Sequence, residues 1–440
     1  MHLWVRKLWQ RKLVRNTVWM LFGHGSRVGL QAAYFILLAR TLGAEGLGVF
    51  SGALALAKIM LPFAGWGSDE VLVRRTSRNS SEFNEALGNA LLITAFSGAL
   101  FTGIALVINQ ALFAGRVSWQ LILLIASGEL VLYRLQYLTR RAFQAFERLN
   151  ITAVFKAAPS LTLVVGVVAF RATNPERDVD VWGLWYFGAM AIPGIAGIIV
   201  TLALLGRPKF VMAAAMKQLR EGFFFSLSES AKTAYTDADK ILLLRLLSRE
   251  IAGVYKAAYR LLSVLMTPVL ALMDAAYARF FKTGAGGVRG SYRFALKLMP
   301  LTVLYTAVVA TAMWLSAPLL PLLLGKSYQG SVEIIRWLAP IPVFQAASYL
   351  LMQTLTGGDF QKQRSIGQLL VAIFNIAGNV VLIPIYGWQA AAGMAVASEL
   401  LLLVMMFGLC TWSARRQPQG TEESAADHPD QSPTSSKRRA

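Results

Sequence analysis

The sequence predicts an all-α membrane protein with about twelve transmembrane helices, arranged in two six-helix lobes related by a pseudo-twofold axis along the membrane normal. Three observations support this fold class. The chain of 440 residues is 56% hydrophobic and only 15% charged, whereas soluble domains carry about 25% charged residues. Its apolar residues fall into twelve runs, each near the length of about 20 residues that a helix needs to cross the hydrocarbon. A stretch of the first half also recurs in the second half.

The twelve runs are separated by short connections, which leaves no room for a water-soluble domain. Their approximate bounds are 16–39, 46–68, 86–109, 119–138, 151–170, 182–205, 222–244, 251–275, 294–317, 332–356, 365–385 and 388–412. We expect a basic amphipathic N-terminal segment at 1–15, an N-lobe at 16–205, a cytoplasmic linker at 206–221, a C-lobe at 222–412 and a disordered cytoplasmic tail at 413–440. The basic segment carries tryptophans suited to an anionic membrane surface, and a frayed tail is the alternative.

The recurring stretch is ILLARTLGAEGLGVFSGALAL at residues 36–56, and its copy is ILLLRLLSREIAGVYKAAYRL at 241–261. Ten of the 21 positions are identical at a constant offset of 205, including an Arg, a Glu and a Gly. Each copy consists of an apolar run, a short polar turn and a second apolar run, which predicts a tight hairpin between two membrane helices. Because six predicted helices separate the copies, both lobes enter the membrane in the same direction, as a pseudo-twofold along its normal requires.

Lysine and arginine are distributed unequally between alternate connections. With the N-terminus placed in the cytoplasm, the cytoplasmic segments hold 27 of these residues and the opposite loops hold 7. Cytoplasmic loops of membrane proteins are enriched in Lys and Arg, so both termini are predicted to be cytoplasmic. The net charge of +20 follows this topology, and we expect no nucleic-acid partner; the lipid bilayer is the predicted surroundings.

Several cations lie within the apolar runs, where each costs about 2.5–3.5 kcal/mol near mid-membrane. They are Arg27, Lys58, Arg134, Lys156, Lys232, Lys240, Lys256, Arg260 and Arg336. Arg27 and Lys232 are 205 residues apart, so the repeat places a cation at the same depth in both lobes. We predict a central cationic cleft that binds substrate through Arg27, Lys58, Lys232, Lys256 and Arg260. Unpaired cations attract anions, and the Arg fork binds two phosphate oxygens at once.

Structural ion pairing is the alternative role for these charges. Lys240 lies close to Asp237 and Asp239, and Arg336 lies three residues after Glu333, so local pairing is favoured for both cations.

Two carboxylates are candidates for coupling transport to an ion, with H⁺ and Na⁺ both left open. Glu229 lies three residues before Lys232 and could neutralise it in part. Glu399 stands alone in the last apolar run, where pairing with a cation elsewhere in the bundle is favoured. The sequence has no nucleophile–base pair, phosphate-binding glycine loop or metal-ligand spacing. We therefore expect no catalytic residue, no metal site and no bound cofactor.

Four short segments near the start of the chain form a recognisable set. They are Asn16-Thr17, the run LLARTLGAEGLGVFSGALAL, Gly65-Trp66-Gly67 and Arg74-Arg75. In these segments the chain resembles oligosaccharide flippases, the O-antigen and polysaccharide branch of the multidrug/oligosaccharidyl-lipid/polysaccharide exporter superfamily. The twelve-helix plan extends the resemblance over about 400 residues, and the second half matches less distinctly.

The resemblance implies a transporter of the bacterial inner membrane rather than an enzyme. Such flippases move polyprenyl-diphosphate-linked glycans from the cytoplasmic to the outer leaflet by alternating access, beside glycosyltransferases and a glycan polymerase. The related peptidoglycan-precursor flippases carry central cations, which implies substrate contacts for Arg27, Lys58 and Arg260; their fourteen helices argue against that substrate here. The alternatives are a multidrug exporter of the same superfamily and a membrane glycan polymerase or ligase.

Overall fold

The computed structural model describes residues 2–146, 148–211, 226, 230, 233–234, 236–284, 287–358 and 360–416. Over these residues the regular structure is helical and contains no strand, as the sequence predicts. The predicted linker lies outside the described residues from 212 onward, and so does the predicted tail from 417 onward.

The helices follow the predicted apolar runs in order. The first half of the chain contains α1 (His2–Met60), α2 (Ser68–Arg78), α3 (Phe83–Phe113), α4 (Trp119–Ala145), α5 (Leu149–Thr173) and α6 (Val179–Leu204). The second half contains α7 (236–246), α8 (Arg249–Leu265), α9 (Thr267–Gly284), α10 (Val288–Ser316), α11 (Leu319–Leu324), α12 (Ser331–Leu338), α13 (Ile341–Gly357), α14 (Gln361–Tyr386) and α15 (Trp388–Arg416). The backbone of the predicted N-terminal segment is helical and continuous with the first span.

Eight of the described helices are long and apolar enough to cross a membrane, and the pair α12 and α13, bent by 49°, makes a ninth if it is one span. Twelve apolar runs were predicted, so nine spans leave three runs to be explained. The segment Ser26–Met60 counts once although it covers two runs, α7 is described only in part, and the run at 251–275 is divided between α8 and α9. The chain is thus a multi-pass membrane protein, and the twelve-helix, two-lobe plan fits it.

The first repeat turns at a glycine inside α1. Gly43 has φ 67° and ψ −175°, which breaks the helix between the two predicted runs. This region of backbone conformation is open in practice to glycine alone. The predicted break between helices 1 and 2 is therefore confirmed. It lies at Gly43 because glycine is the residue type that adopts this backbone conformation.

The two copies of the repeat pack directly on one another. A Cβ at Gly48 would overlap the carbonyl oxygen of Arg249, and a Cβ at Gly253 would overlap the carbonyl oxygen of Ala44. These two approaches are equivalent under the 205-residue offset, which maps Ala44 to Arg249 and Gly48 to Gly253. The reciprocal glycine crossing is what a pseudo-twofold axis between the repeats predicts.

Helix ends near this crossing are capped by loops from the opposite half. The Tyr328 hydroxyl donates to the carbonyl of Ala39 at 3.1 Å, near the end of the first arm of α1. At the equivalent position in α7, Arg116 Nη1 donates to the carbonyls of Leu244 at 2.7 Å and Leu247 at 2.6 Å. These bonds satisfy carbonyls that a helix end leaves without intrahelical partners. We call this end of the bundle, with residues 39–48, 114–118 and 244–253, the hairpin end.

The chain divides into two compact units. The first comprises Met1–Arg260, Ser316–Trp337 and Ala372–Met394, and the second comprises Leu261–Leu315, Leu338–Val371 and Ala395–Ala440. Within the first unit a core cluster forms around Leu72, Phe83 and Leu138. Within the second unit, Phe280 and Leu350 lie at the centre of another core cluster.

The predicted orientation can be tested with single cysteines. Cys410 is the only cysteine and is buried, so a Cys410→Ala background gives a low labelling baseline. Glu176 and Ser80 are both exposed, in connections predicted to lie on opposite sides. We expect Glu176→Cys to react with a membrane-impermeant maleimide in intact cells, and Ser80→Cys to react only after permeabilisation. The reverse pattern would contradict the predicted orientation of the termini.

Candidate functional site

Two of the predicted substrate cations meet between α1 and α8 in the first unit. Arg260 of α8 donates from Nη2 to Gln31 Oε1 at 3.5 Å, and its guanidinium carbon lies 5.8 Å from the centroid of the Phe35 ring. Gln31 and Phe35 follow Arg27 at intervals of four residues, so all three share one face of α1. Arg27 and Arg260 interact electrostatically, so like charges from the two halves of the chain lie near one another.

Two further predicted cations lie beside them. Lys256 precedes Arg260 by one helical turn of α8, and its Nζ is 4.0 Å from Asp237 Oδ1. Lys58, in the last turn of α1, interacts electrostatically with both Lys256 and Asp237. We call Arg27, Lys58, Lys256 and Arg260 the cation cluster. All four are half-buried, so they are partly withdrawn from solvent without being sealed.

Asp237 is shared between the cation cluster and a fully buried lysine. Lys240 is 1% exposed, and its Nζ lies 2.9 Å from Asp239 Oδ1 and 3.3 Å from Asp237 Oδ1. The same ammonium donates to the Thr236 carbonyl and lies 3.9 Å from the Tyr259 ring centroid. The predicted local pairing of Lys240 is confirmed. Sequence reasoning did not anticipate that Asp237 also reaches Lys256, on a different helix.

Another carboxylate of the first unit, Glu129, is buried in an irregular part of α4. Glu129 is 6% exposed and lies in the π-helical turn Gly128–Tyr133. The hydroxyl of Tyr186 donates to Glu129 Oε1, and Lys58 interacts with the carboxylate electrostatically. π-Helical turns occur often at functional sites. In the sequence, Glu129 is a single acid within an apolar run, and this pattern does not reveal Tyr186 or Lys58 as its partners. Glu129 was therefore not among the predicted site residues.

The roles of three further predicted site residues, Glu229, Lys232 and Glu399, stay predictions. Glu229 and Lys232 lie outside the described residues, so the pairing of Lys232 with Arg27 stays a prediction. Glu399 belongs to the second unit, where it is 2% exposed and accepts a hydrogen bond from Gln345 Nε2 at 2.9 Å. Its role as a coupling carboxylate also stays a prediction.

The cation cluster and its carboxylate partner Asp237 carry a net positive charge. Asp237 interacts with Lys58, Lys256 and Lys240. The two arginines join this group through Arg260, which interacts with Lys256 and with Arg27. Among the described side chains of this site, positive charge is therefore in excess. Half-buried cations attract an anion more strongly than cations in bulk water do, because the effective dielectric is lower. The site suits a compact, multiply charged anion.

The sequence matches the family described as polysaccharide biosynthesis protein over residues 13–283, which is more than half of the chain. The chain belongs to this family. One similar protein is the "Putative O-antigen transporter" of Escherichia coli (strain K12), which is 20% identical to this chain over 408 residues. That alignment covers 90% of this chain and 96% of the relative. The predicted relationship to polysaccharide flippases is confirmed at the level of the family.

Solved transporter structures share the fold of this chain. An inward-facing multidrug resistance MATE family transporter of the MOP superfamily superposes with a TM-score of 0.71 at 14% identity, covering 88% of this chain and 96% of that one. The lipid II flippase MurJ in an inward closed conformation gives a TM-score of 0.72 at 11% identity, covering 92% of this chain and 88% of that one. At these identities the likeness establishes the fold of this family member.

Proposed function

We propose that the protein is a flippase that moves polyprenyl-diphosphate-linked oligosaccharide from the cytoplasmic to the outer leaflet of the bacterial inner membrane, for polysaccharide synthesis. The observation that carries this proposal is the cation cluster. It joins Arg27 and Lys58 of α1 to Lys256 and Arg260 of α8 through their mutual electrostatic interactions, and Asp237 contacts Lys256. A diphosphate is a compact anion that such a group of cations can hold.

The physical problem is the transfer of a charged and heavily hydroxylated headgroup through hydrocarbon. Charged groups cost several kcal/mol or more in the bilayer interior. A cationic cleft replaces the water around the diphosphate by ammonium and guanidinium donors, while the polyprenyl chain stays in lipid. The relatives support this substrate class, since one carries the name O-antigen transporter and another is called a lipid II flippase.

Asp237 is an anionic partner that the protein itself supplies to the cation cluster. Its Oδ1 lies 3.3 Å from Lys240 Nζ and 4.0 Å from Lys256 Nζ. The longer and more exposed contact is the weaker one, so an arriving diphosphate displaces Asp237 from Lys256 and leaves the buried pair with Lys240 in place. The site then exchanges one anion for another, which limits the repulsion between cations when no substrate is bound.

Movement between leaflets requires the site to open alternately to the two sides. Internal repeats with a central site carry out this movement by rocking one repeat against the other. In this chain the repeats meet at Gly48 and Gly253. We propose that this glycine crossing is the contact that separates when the hairpin end opens. A multidrug exporter of cationic compounds is disfavoured, because the cation cluster would repel such substrates.

The proposal predicts that Arg260→Ala and Arg27→Ala each reduce glycan export about tenfold or more. Loss of one charge-assisted contact to phosphate costs about 1.5–3 kcal/mol, and each 1.4 kcal/mol is a factor of ten. Surface polysaccharide in intact cells, normalised to membrane-inserted protein, measures the effect. Arg→Lys at the same positions keeps the charge and should lose less.

Arg279 provides a matched control for this experiment. It is an exposed arginine over the Phe294 ring in the second unit, and Arg279→Ala should export normally. Normal export by both Arg27→Ala and Arg260→Ala would remove the cation cluster from the transport pathway.

A further inference from the structure

The connection between α3 and α4 turns sharply at two residues. Ala114 and Gly115 have φ 50° and 77°, a region of backbone conformation that few residues other than glycine adopt. Asn109, one turn before the end of α3, donates from Nδ2 to the carbonyl of Val117 at 3.3 Å. We call residues 114–118 the α3–α4 loop. The hydrogen bond of Asn109 ties this loop back onto α3.

The last residue of the α3–α4 loop ties it to two further helices. The Ser118 hydroxyl caps α4 by accepting from the N–H of Leu121 at 3.1 Å, and it donates to Asp180 Oδ1 of α6 at 2.6 Å. An N-cap serine satisfies a helix N–H group that lacks an intrahelical partner. The loop is therefore a rigid support on the first half of the chain.

Arg116 extends from this support to a helix of the other half. Its Nη1 donates to the carbonyls of Leu244 at 2.7 Å and Leu247 at 2.6 Å, at the end of α7, where carbonyls lack intrahelical donors. A cation also interacts favourably with the negative end of a helix dipole. All of these residues belong to the first unit. Arg116 thus joins the two halves of the chain by two charge-assisted hydrogen bonds.

The Arg116 contact can break without leaving a buried charge. Arg116 is half-buried, so water hydrates its guanidinium on release. Lys240, in contrast, is 1% exposed and is enclosed with its carboxylates. The acceptors of Arg116 are main-chain carbonyls at a helix end, which water also satisfies once the helix end is exposed. The contact of Arg116 with α7 is therefore suited to repeated breaking and re-forming.

This contact lies beside the glycine crossing of the repeats. A Cβ at Gly52 of α1 would lie 2.2 Å from Leu244 Cδ2 and 3.4 Å from Phe113 Cε1 at the end of α3. Leu244 is 0% exposed, and Gly48 of the crossing is one turn earlier on α1. The end of α7 therefore packs against α1 and the α3–α4 loop together. If α7 moves away from α1, the bonds of Arg116 must break.

A second contact of this kind holds the end of the first arm of α1. The Tyr328 hydroxyl donates to the carbonyl of Ala39 at 3.1 Å, and the 205-residue offset maps Ala39 to Leu244. Arg40 Nε also donates to the carbonyl of Leu323 at 2.6 Å, from an exposed side chain. Charge-assisted hydrogen bonds are stronger than neutral ones. The bond of Tyr328 is therefore equivalent in place to the contact of Arg116 and weaker.

We propose that Arg116 is a latch that holds the hairpin end closed and leaves α7 when the site opens to that side. The inference rests on the proposed function, because it requires the site to open alternately. It goes further by assigning the closed state to one side chain of the α3–α4 loop. Opening then breaks two charge-assisted hydrogen bonds in addition to separating the repeats at Gly48 and Gly253.

A buried thiol beside the latch reports opening of the hairpin end. Leu244→Cys in a Cys410→Ala background places a single thiol between the halves, and its rate of reaction with a maleimide is measured in purified full-length protein. Adding Arg116→Ala should raise this rate about 10- to 100-fold, because loss of hydrogen bonds from a charged donor shifts the equilibrium towards the open state. Arg116→Lys keeps the charge and should raise the rate less.

Two controls separate a latch from a general loss of stability. Ala142 is 0% exposed in a core cluster of the first unit, and the labelling rate of Ala142→Cys should not change when Arg116→Ala is added. Arg249→Ala is the matched charge control. Arg249 Nη1 lies 3.2 Å from Glu45 Oε1 at the same hairpin end, but both side chains are exposed. Its loss should raise the Leu244→Cys rate about fivefold at most.

The reciprocal contact gives a smaller expected effect. Tyr328→Phe keeps the ring and removes one neutral hydrogen bond, so the Leu244→Cys rate should rise about 2- to 10-fold. In Arg116→Ala/Tyr328→Phe the two factors should multiply, because the contacts hold the ends of different helices. A larger effect of Tyr328→Phe than of Arg116→Ala would contradict the assignment of the latch to Arg116.

Thermal unfolding verifies that each variant is folded. If folded Arg116→Ala leaves the Leu244→Cys rate at the parental value, or raises the Ala142→Cys rate by the same factor, Arg116 is not a latch. That failure is distinguishable from failure of the proposed function, which is measured by glycan export in Arg27→Ala and Arg260→Ala.

Discussion

Replacing Gly48 by alanine is expected to abolish glycan export and to destabilise the protein. The added Cβ would overlap the carbonyl oxygen of Arg249, which belongs to the backbone of the other repeat and has no rotamer to escape into. Overpacking in a close-packed interior costs about 1–3 kcal/mol, occasionally more. The two repeats must move apart to accept the methyl group, so the crossing at the hairpin end no longer closes.

Gly253→Ala should have the same effect, because its Cβ would overlap the equivalent carbonyl oxygen, that of Ala44. Gly29→Ala is the matched control, since Gly29 also lies in α1 and a Cβ there meets nothing within 4 Å. Stability is measured by thermal unfolding with a thiol-reactive dye, for which the buried Cys410 is the single reporter.

The double variant Gly48→Ala/Gly253→Ala tests the pseudo-twofold crossing more sharply than either single change. One separation of the repeats accommodates both methyl groups, so the double variant should lose less stability than the two single changes added together. Additive losses would indicate that the two glycines make independent contacts. Parental stability and export in both single variants would contradict the reciprocal glycine crossing itself.

The fold was predictable from the sequence because its determinants are linear patterns. Apolar runs of membrane length located the helices, and the 205-residue offset related the two halves. Gly43 broke α1 where a polar turn interrupted the apolar pattern. Where helices bend or divide, as between α12 and α13, apolar runs gave no warning, since a bent pair and a straight helix have similar composition.

The site residues were harder to assign, because a charge in an apolar run does not name its partners. The pairing of Lys240 followed from its neighbours in sequence, but the contact of Asp237 with Lys256 depends on how α7 packs beside α8. Glu129 was missed because its partner Tyr186 lies on α6. Arg140 and Arg141 are two of the 27 residues that the sequence assigns to cytoplasmic segments, and such a count does not show that both lie over the ring of Tyr137.

The second large effect is expected at the buried lysine of α7. Lys240→Met should destabilise the protein by about 3–5 kcal/mol, the usual cost of removing one partner from a buried ion pair. Methionine fills a similar volume, but it leaves Asp239, 4% exposed, without the ammonium 2.9 Å from its Oδ1. Thermal and denaturant unfolding, followed through Cys410, measure the loss.

A double-mutant cycle attributes that loss to the charge rather than to packing. In Asp239→Asn/Lys240→Met no buried charge remains at this pair, so part of the stability should return. Asp239→Asn alone should cost less than Lys240→Met, because Asp237 still lies 3.3 Å from the Lys240 ammonium. Lys326→Met is the surface control; Lys326 is exposed, and its loss should stay within about 0.5 kcal/mol.

Export by these variants then separates stability from transport. When Lys240 is replaced by methionine, Asp237 loses its nearer cation and is free to pair fully with Lys256, whose Nζ is 4.0 Å away. A diphosphate must then displace a stronger competitor, so export per folded molecule should fall below that of the parent. Asp237→Asn in the same background removes the competitor and should restore export without restoring stability. If export per folded molecule is unchanged in Lys240→Met, Asp237 does not compete with substrate for Lys256.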